Sequence, residues 1–126
     1  MKQINIKHVT NLHSDCLRGL SFYDQELTIL QQRLEEIAAA NTHKEVLEKI
    51  EHFQNQFIIH RNYIDELTYS LHANLNDVES EIVSTAGFIA EDTCNDNENL
   101  YRRYIDEEKV FNELRHEFNR FAADWM

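Results

Sequence analysis

The feature that most constrains the fold is the near absence of turn-forming residues. The chain has 126 residues but no proline and only two glycines, Gly19 and Gly87. β-Hairpins and sheets depend on such residues between their strands. We therefore exclude an all-β or α/β fold and expect an all-α protein. Because 42% of the residues are hydrophobic, the chain can bury a core, and its length predicts one helical-bundle domain over residues 1–126.

The net charge is strongly negative, which narrows the choice of partners. Twelve lysines and arginines stand against 23 aspartates and glutamates, which gives −11 with histidine neutral. Such a surface repels phosphate backbones and anionic lipids, so we expect no nucleic-acid partner and no membrane partner. No apolar run approaches the ~20 residues that span a bilayer, and Met1–Thr10 lacks the apolar segment of a signal peptide. We predict a cytoplasmic protein with Cys16 and Cys94 as reduced thiols.

The negative charge is concentrated in the acidic region, residues 62–101. No lysine or arginine occurs between Arg61 and Arg102. Nine carboxylates occupy this region: Asp65, Glu66, Asp77, Glu79, Glu81, Glu91, Asp92, Asp96 and Glu98. A solvated surface is the ordinary interpretation. The alternatives are a docking face for a basic protein partner and a surface that holds divalent cations loosely.

Apolar residues recur every three or four positions along three segments, as one face of a helix requires. They predict helices over residues 7–40, over 43–74 with a continuation to 93 left open, and over 97–125. The first stripe is Val9, Leu12, Cys16, Leu20, Tyr23, Leu27, Leu30, Leu34 and Ile37; the second is Val46, Ile50, Phe53, Phe57, His60, Ile64, Leu67, Leu71, Leu75, Val78, Ile82, Ala86 and Ile89; the third is Leu100, Tyr104, Glu107, Phe111, Leu114, Phe118, Phe121 and Trp125.

The connections between these helices decide the architecture. Thr42 and Glu45 have the spacing of a capping box, which predicts a tight corner at residues 41–42 and antiparallel first and second helices. Asn95–Asn99 is the stronger candidate for a break, and Leu75–Asp77 is the weaker one, because asparagine and aspartate favour caps and loops. The sequence therefore predicts an antiparallel bundle of three or four long helices.

Two patterns predict a homo-oligomer. In every layout the helices differ in length, so an apolar stripe should overhang, either at Phe111–Trp125 or at Phe53–Phe57, and close by self-association. Large apolar residues also stand off the stripes, namely Phe22, Ile29, Ile59 and Phe88. Scattered surface apolar residues are common in monomers, but the two patterns agree.

Seven histidines in an acidic chain suggest a metal site, yet each candidate is incomplete. Glu113 and His116 have the spacing used by di-iron bundles, but they face away from the stripe and no second copy occurs. His13 and Cys16 supply only two of the four ligands that a structural zinc needs. The segment 92–98 lacks the glycine of an EF-hand loop. We predict no metal site and no cofactor.

His60 and Glu107 are the polar residues that fall within apolar stripes. Around a corner at 41–42, Asp24 lies level with His60, so the two can form a hydrogen bond. We interpret that pair as a buried contact that fixes helix register; the alternative is a ligand site or a catalytic dyad. On this basis His60→Leu should fold without loss of stability. For Glu107 we favour a carboxylate near a helix start that reaches water, with a buried acid as the alternative.

Nothing in the chain resembles a catalytic motif. It has no Gly-x-Ser-x-Gly turn and no glycine-rich phosphate loop. We therefore predict a non-enzymatic scaffold or protein-interaction module that self-associates. The alternative is a bundle that binds a metal or a small ligand around Asp24 and His60.

One segment resembles a known group of proteins. Asn41-Thr-His-Lys-Glu-Val-Leu-Glu-Lys-Ile-Glu-His-Phe-Gln-Asn-Gln-Phe-Ile-Ile59 resembles a segment of small all-helical bacterial proteins with no assigned function, and Leu20-Ser-Phe-Tyr-Asp-Gln-Glu-Leu27 resembles the segment that precedes it there. The resemblance covers about half of the chain. It implies a bacterial helical protein and transfers no residue roles.

Overall fold

Three long helices account for nearly all of the chain that the structure describes. The structure is a computed structural model that describes residues 2–3, 6–85 and 88–126, with side chains over 9–84 and 88–126. The elements are β1 (Lys2–Gln3), α1 (Ile6–Ala40), α2 (Lys44–Thr85), β2 (Phe88–Ile89) and α3 (Glu91–Trp125). β1 and β2 pair antiparallel, with Lys2 opposite Ile89 and Gln3 opposite Phe88. The predicted all-α class is confirmed, and the two-residue strand pair is an addition that periodicity does not predict.

The apolar stripes form the core where the three helices pack together. The main cluster of buried side chains consists of Cys16, Leu20, Tyr23, Leu27, Leu30, Leu34, Ile37, Val46, Phe53, Phe57, Ile64, Leu67, Leu71, Leu100, Phe111, Leu114, Phe118, Phe121 and Ala122. A smaller cluster of Val9, Val78 and Ile89 lies next to the strand pair. All of the residues in these two clusters except Ala122 belong to the apolar stripes that helical spacing predicts. Ala86 of the second stripe lies outside the described residues.

The corner between α1 and α2 is placed correctly, but its cap is not. α1 ends at Ala40 and α2 begins at Lys44. The Leu47 backbone N–H donates to the His43 carbonyl at 3.0 Å, so His43 rather than Thr42 occupies the N-cap position. The predicted capping box is therefore wrong by one residue. Asn41 closes the end of α1 instead, because its Nδ2 donates to the carbonyl of Ile37 at 2.9 Å.

The stronger of the two candidate breaks is wrong, and the weaker one does not interrupt the helix. Leu75–Asp77 lies inside α2, so the continuation past 74 that the sequence left open is found, although it ends at Thr85 and not at 93. Asn95–Asn99 lies inside α3, which begins at Glu91 rather than at 97. Glu91 is acidic and sits in the first turn of α3, where the helix dipole favours negative charge. The four-helix layout is thereby excluded.

The predicted overhang is also wrong. α1, α2 and α3 have 35, 42 and 35 residues, so no long stripe is left uncovered. Phe53, Phe57, Phe111 and Phe118 are all buried within the single chain. Phe118 packs with its ring centroid 5.3 Å from that of Phe53 and 5.5 Å from that of Phe57. The length argument for self-association therefore no longer holds.

Gly19 allows α1 and α3 to approach closely. A Cβ at this position would overlap the Tyr104 hydroxyl and would lie 2.8 Å from its Cζ. Glycine within a helix costs roughly 1 kcal/mol of stability relative to alanine. At this position the missing side chain leaves the space that the Tyr104 ring occupies between the two helices.

Within the described ranges, no helix combines the length and the apolar composition that a bilayer crossing requires.

Candidate functional site: interior polar pairs and an open groove

A buried contact joins His60 on α2 to Glu107 on α3. The His60 Nδ1 contacts the Glu107 Oε1, and the two side chains are 7% and 6% exposed. The His60 ring also lies edge-on to Phe111, with centroids 6.1 Å apart. The expectation that Glu107 reaches water is wrong, since its carboxylate is buried against His60. A buried pair of this kind fixes the register of two helices.

Asp24 does not contact His60, so the predicted pairing is wrong. Its Oδ1 lies 3.5 Å from Nη1 of Arg61, and Nη2 of Arg61 also donates to the Thr28 hydroxyl at 3.3 Å. Both members of the Asp24–Arg61 pair are partly exposed. Asp24 contacts the residue next to His60 in sequence, so the two positions lie close along α1 and α2. Glu107 from α3 contacts His60 in place of Asp24. The proposed ligand site around Asp24 and His60 is therefore not assembled.

A second polar network connects all three helices near the start of α3. His13 and Asn74 are 2% and 4% exposed. The His13 Nε2 lies 3.0 Å from Oδ1 of Asn74, and the Asn74 Nδ2 donates to the Thr93 carbonyl at 3.3 Å. Asn97 adds a further bond, because its Nδ2 donates to Oδ1 of Asn74 at 3.3 Å. Nothing in the sequence predicted this network, although Asn97 lies within one candidate break and Asn74 directly precedes the other.

Polar atoms surround both ring nitrogens of His13. Its Nδ1 lies 2.9 Å from the Val9 carbonyl oxygen, while its Nε2 faces the Asn74 Oδ1. The Asn74 amide is oriented by its bond to the Thr93 carbonyl, so Oδ1 is the atom that His13 meets. The Asn97 Nδ2 also lies 3.4 Å from the His13 Nδ1 and 3.5 Å from its Nε2, so each ring nitrogen has both an acceptor and a donor nearby.

Two phenols, a thiol and a carboxylate gather where α1 meets α3. Burial, and then the charge of Glu108, raise the pKa of Tyr23. Burial raises the pKa of Tyr104 as well, with Tyr23 and Glu108 adding to the effect. Burial is also the main reason that the pKa of the Cys16 thiol rises from 9.0 to about 11, with Asp15 and Glu108 contributing. The two phenols and the thiol therefore stay protonated at neutral pH, and the thiol is not prepared as a nucleophile.

This shift predicts a large difference in thiol reactivity. Only the thiolate reacts with Ellman's reagent, and a pKa of about 11 in place of 9.0 lowers the thiolate fraction near neutral pH by about 100-fold. We expect the Cys94→Ser variant, which retains Cys16, to react at least about 100-fold more slowly at about pH 8 than the Cys16→Ser variant. Its rate should rise about tenfold per pH unit until the pH nears the pKa of Cys16. Equal rates in the two variants would contradict the shift, and equal rates in denaturant serve as the control.

The remaining metal candidates lie apart from one another. Glu113 and His116 are exposed on α3, as their position on the helix wheel predicts. Cys16 belongs to the apolar core, while His13 bonds to Asn74. The segment 92–98 forms the first turns of α3. Among the residues that the structure describes, no three His, Cys, Asp or Glu side chains are close enough to hold a metal ion together.

An open groove lies between α2 and α3 beside the His13 network. Its volume is about 280 Å³. The side chains that line it come from both helices and are Tyr69, Ser70, Ala73, Asn74, Asp77, Asp96, Asn99, Leu100 and Arg103. Leu100 is buried and Tyr69 is largely exposed. The groove therefore combines apolar contact area with two carboxylates in a part of the molecule that partners can reach.

Comparison with known proteins assigns no family to this all-α chain. No family model matches it, and neither a curated protein nor a solved structure gives a significant match. The outcome is consistent with the resemblance to helical proteins without an assigned function, and it leaves function to be argued from the geometry of this chain.

Proposed function

We propose that this chain is a non-enzymatic cytoplasmic helical-bundle protein that acts as a scaffold or protein-interaction module and self-associates. The observation that carries the proposal is the apolar surface of α1, where Phe22 and Ile29 are 49% and 43% exposed. They are seven positions apart in the sequence, so they lie on one face of the helix. Large apolar side chains that remain exposed on one face are typical of an interaction surface.

The packing of the helices fits a scaffold. Asp24 contacts Arg61 and His13 contacts Asn74, so partners on α1 and α2 lie progressively farther from the corner at 41–43. This progression supports an antiparallel bundle, in which α1 and α2 are neighbours that run in opposite directions. Such a bundle presents long, rigid helix faces to partners.

The interior histidines support a role without catalysis. His60 is enclosed against Glu107, and His13 is enclosed against Asn74 and the Val9 carbonyl. Each ring is occupied by partners within the fold, where it holds helices in register. A general base needs access to the proton that it abstracts from a substrate, and these two rings are buried.

Sedimentation velocity across micromolar concentrations tests the proposal. We expect the wild-type chain to sediment above its monomer mass of 15.0 kDa, and the Phe22→Ser/Ile29→Ser variant to sediment as a single chain. The control is Leu47→Ser/Ile58→Ser, which removes two exposed apolar side chains from α2 and should behave as the wild type does. A wild-type mass equal to one chain at every concentration would overturn self-association.

A further inference from the structure

The groove between α2 and α3 has a floor and a rim suited to an amphipathic segment. Leu100 is buried at the groove, and Ala73 contributes a second small apolar contact. Tyr69 stands at the rim with 76% of its surface exposed. Asn74 also lines the groove, but its amide is bonded to His13 and to the Thr93 carbonyl. The Asn74 amide is therefore satisfied from within the fold and makes no demand on an occupant.

The charge of the groove is negative and is not neutralised locally. Asp77 on α2 and Asp96 on α3 line it and are both exposed. In the described part of the chain, neither carboxylate has an ion-pair partner among the contacts within 4.0 Å. They also lie within the acidic region 62–101, which contains no lysine or arginine. A field of this sign attracts cationic groups and raises their rate of encounter.

Arg103 is the cation that lines the groove, and it is engaged elsewhere. Its Nε donates to the Tyr63 hydroxyl at 3.2 Å, and its guanidinium carbon lies 5.3 Å from the centre of the Tyr63 ring. Nη2 lies 3.6 Å from Oε1 of Glu66. The hydrogen bond to Tyr63 is the main reason that the pKa of Arg103 is raised. This geometry holds the Arg103 charge against Tyr63 and Glu66 and leaves Asp77 and Asp96 to an incoming cation.

We propose that this groove docks a basic amphipathic helix of a partner protein. The groove between two helices receives the apolar face of a third helix, with anchors spaced at three and four residues. Lysine or arginine side chains that flank those anchors pair with Asp77 and Asp96 on the two walls. Charge complementarity favours this occupant over a second copy docked groove to groove, because that arrangement would bring Asp77 and Asp96 of both copies together. The inference rests on the proposed role as an interaction module and names its partner class.

Fluorescence anisotropy with a synthetic peptide tests the docking site. The probe is a labelled helical peptide of leucine and lysine, and its comparison peptide keeps the leucines but replaces lysine with glutamate. We expect the lysine peptide to bind wild-type protein in a salt-dependent way and the glutamate peptide not to bind. The Asp77→Asn/Asp96→Asn variant should bind the lysine peptide about tenfold more weakly, and Tyr69→Ala should also weaken it.

The matched control is Glu51→Gln/Glu113→Gln, which removes the same charge from exposed positions on α2 and α3 outside the groove. It should change binding by less than about twofold. An equal loss in both double variants would overturn the groove as the site, as would a wild-type protein that ignores the lysine peptide. Self-association is measured separately through Phe22 and Ile29, so a monomeric chain that still binds the peptide would refute only the self-association.

Discussion

Replacing His60 with leucine is expected to lower the free energy of unfolding by about 3 kcal/mol. The substitution leaves the Glu107 carboxylate buried without the partner that its Oε1 contacts. Removal of one partner of a buried polar contact is costly because the remaining side chain keeps neither water nor its hydrogen-bond partner. The sequence alone predicts the opposite, a tolerated substitution, because it pairs His60 with Asp24, whereas in the structure Asp24 contacts Arg61.

The double variant His60→Leu/Glu107→Leu should recover most or all of that stability. The two leucines can pack against each other and against Phe111, and they leave no buried polar group without a partner. Apolar replacements of buried pairs are often neutral or stabilising. Urea unfolding of the wild type, both single variants and the double variant gives the coupling between the two residues. The control is Arg61→Leu, which breaks a partly exposed pair and should cost no more than about 1 kcal/mol. A double variant as unstable as His60→Leu would contradict the interpretation.

The helices could be predicted from the sequence because apolar spacing depends on one property, the burial of a single face. Leu20, Leu27 and Leu34 follow that spacing and are all buried. The corner at residues 41–42 could also be predicted from the sequence, because α1 ends at Ala40 and α2 begins at Lys44 in the structure. These features are local, so a sequence window of a few turns contains the information that determines them.

The breaks could not be predicted because asparagine has two opposite uses. In a turn its side chain bonds to its own backbone, whereas inside a helix it can bond to a neighbouring helix. Asn74 and Asn97 take the second role, and they bond to each other across α2 and α3. Only the folded structure shows that the Asn74 side chain bonds to His13 and to the Thr93 carbonyl. A polar residue at a stripe position, as Asn74 is when counted from Leu71 and Val78, is the signal that could have found it.

The partner of His60 was beyond sequence reasoning for a related reason. Counting residues away from the corner at 41–42 shows which positions of α1 lie opposite which positions of α2. That count places Asp24 opposite His60, but it says nothing about α3. The level of α3 against α2 depends on the connection through β2, where Ile89 pairs with Lys2. Two paired residues are too short a pattern to be recognised by alternation. Glu107 and His60 are both polar residues within apolar stripes. That shared feature is the sequence signal that could have suggested the pair.

Replacing Phe118 with alanine is expected to cost about 4 kcal/mol, and it tests whether the aromatic cluster belongs to one chain. Phe118 is fully buried, and its ring meets those of Phe53, Phe57 and Phe121 at centroid distances of 5.3, 5.5 and 6.2 Å. The alanine would leave a cavity that rigid helices cannot close. Ile58→Ala is the control, because an apolar side chain is lost from an exposed site outside the proposed self-association surface and the cost should stay within about 0.5 kcal/mol.

Protein concentration separates this core from an intermolecular interface. If Phe118 is buried within the single chain, the loss of stability in Phe118→Ala should be the same at low and high concentration, since unfolding of a core involves one molecule. Stability gained from a subunit interface rises with concentration by mass action. Thermal unfolding of Phe118→Ala, Ile58→Ala and the wild type over a hundredfold range of concentration makes the comparison. We expect the difference between Phe118→Ala and wild type to persist in the Phe22→Ser/Ile29→Ser background, where self-association is removed. A difference that vanishes there would show that Phe118 stabilises an interface between chains, and the assignment of α3 to the core of its own chain would fail with it.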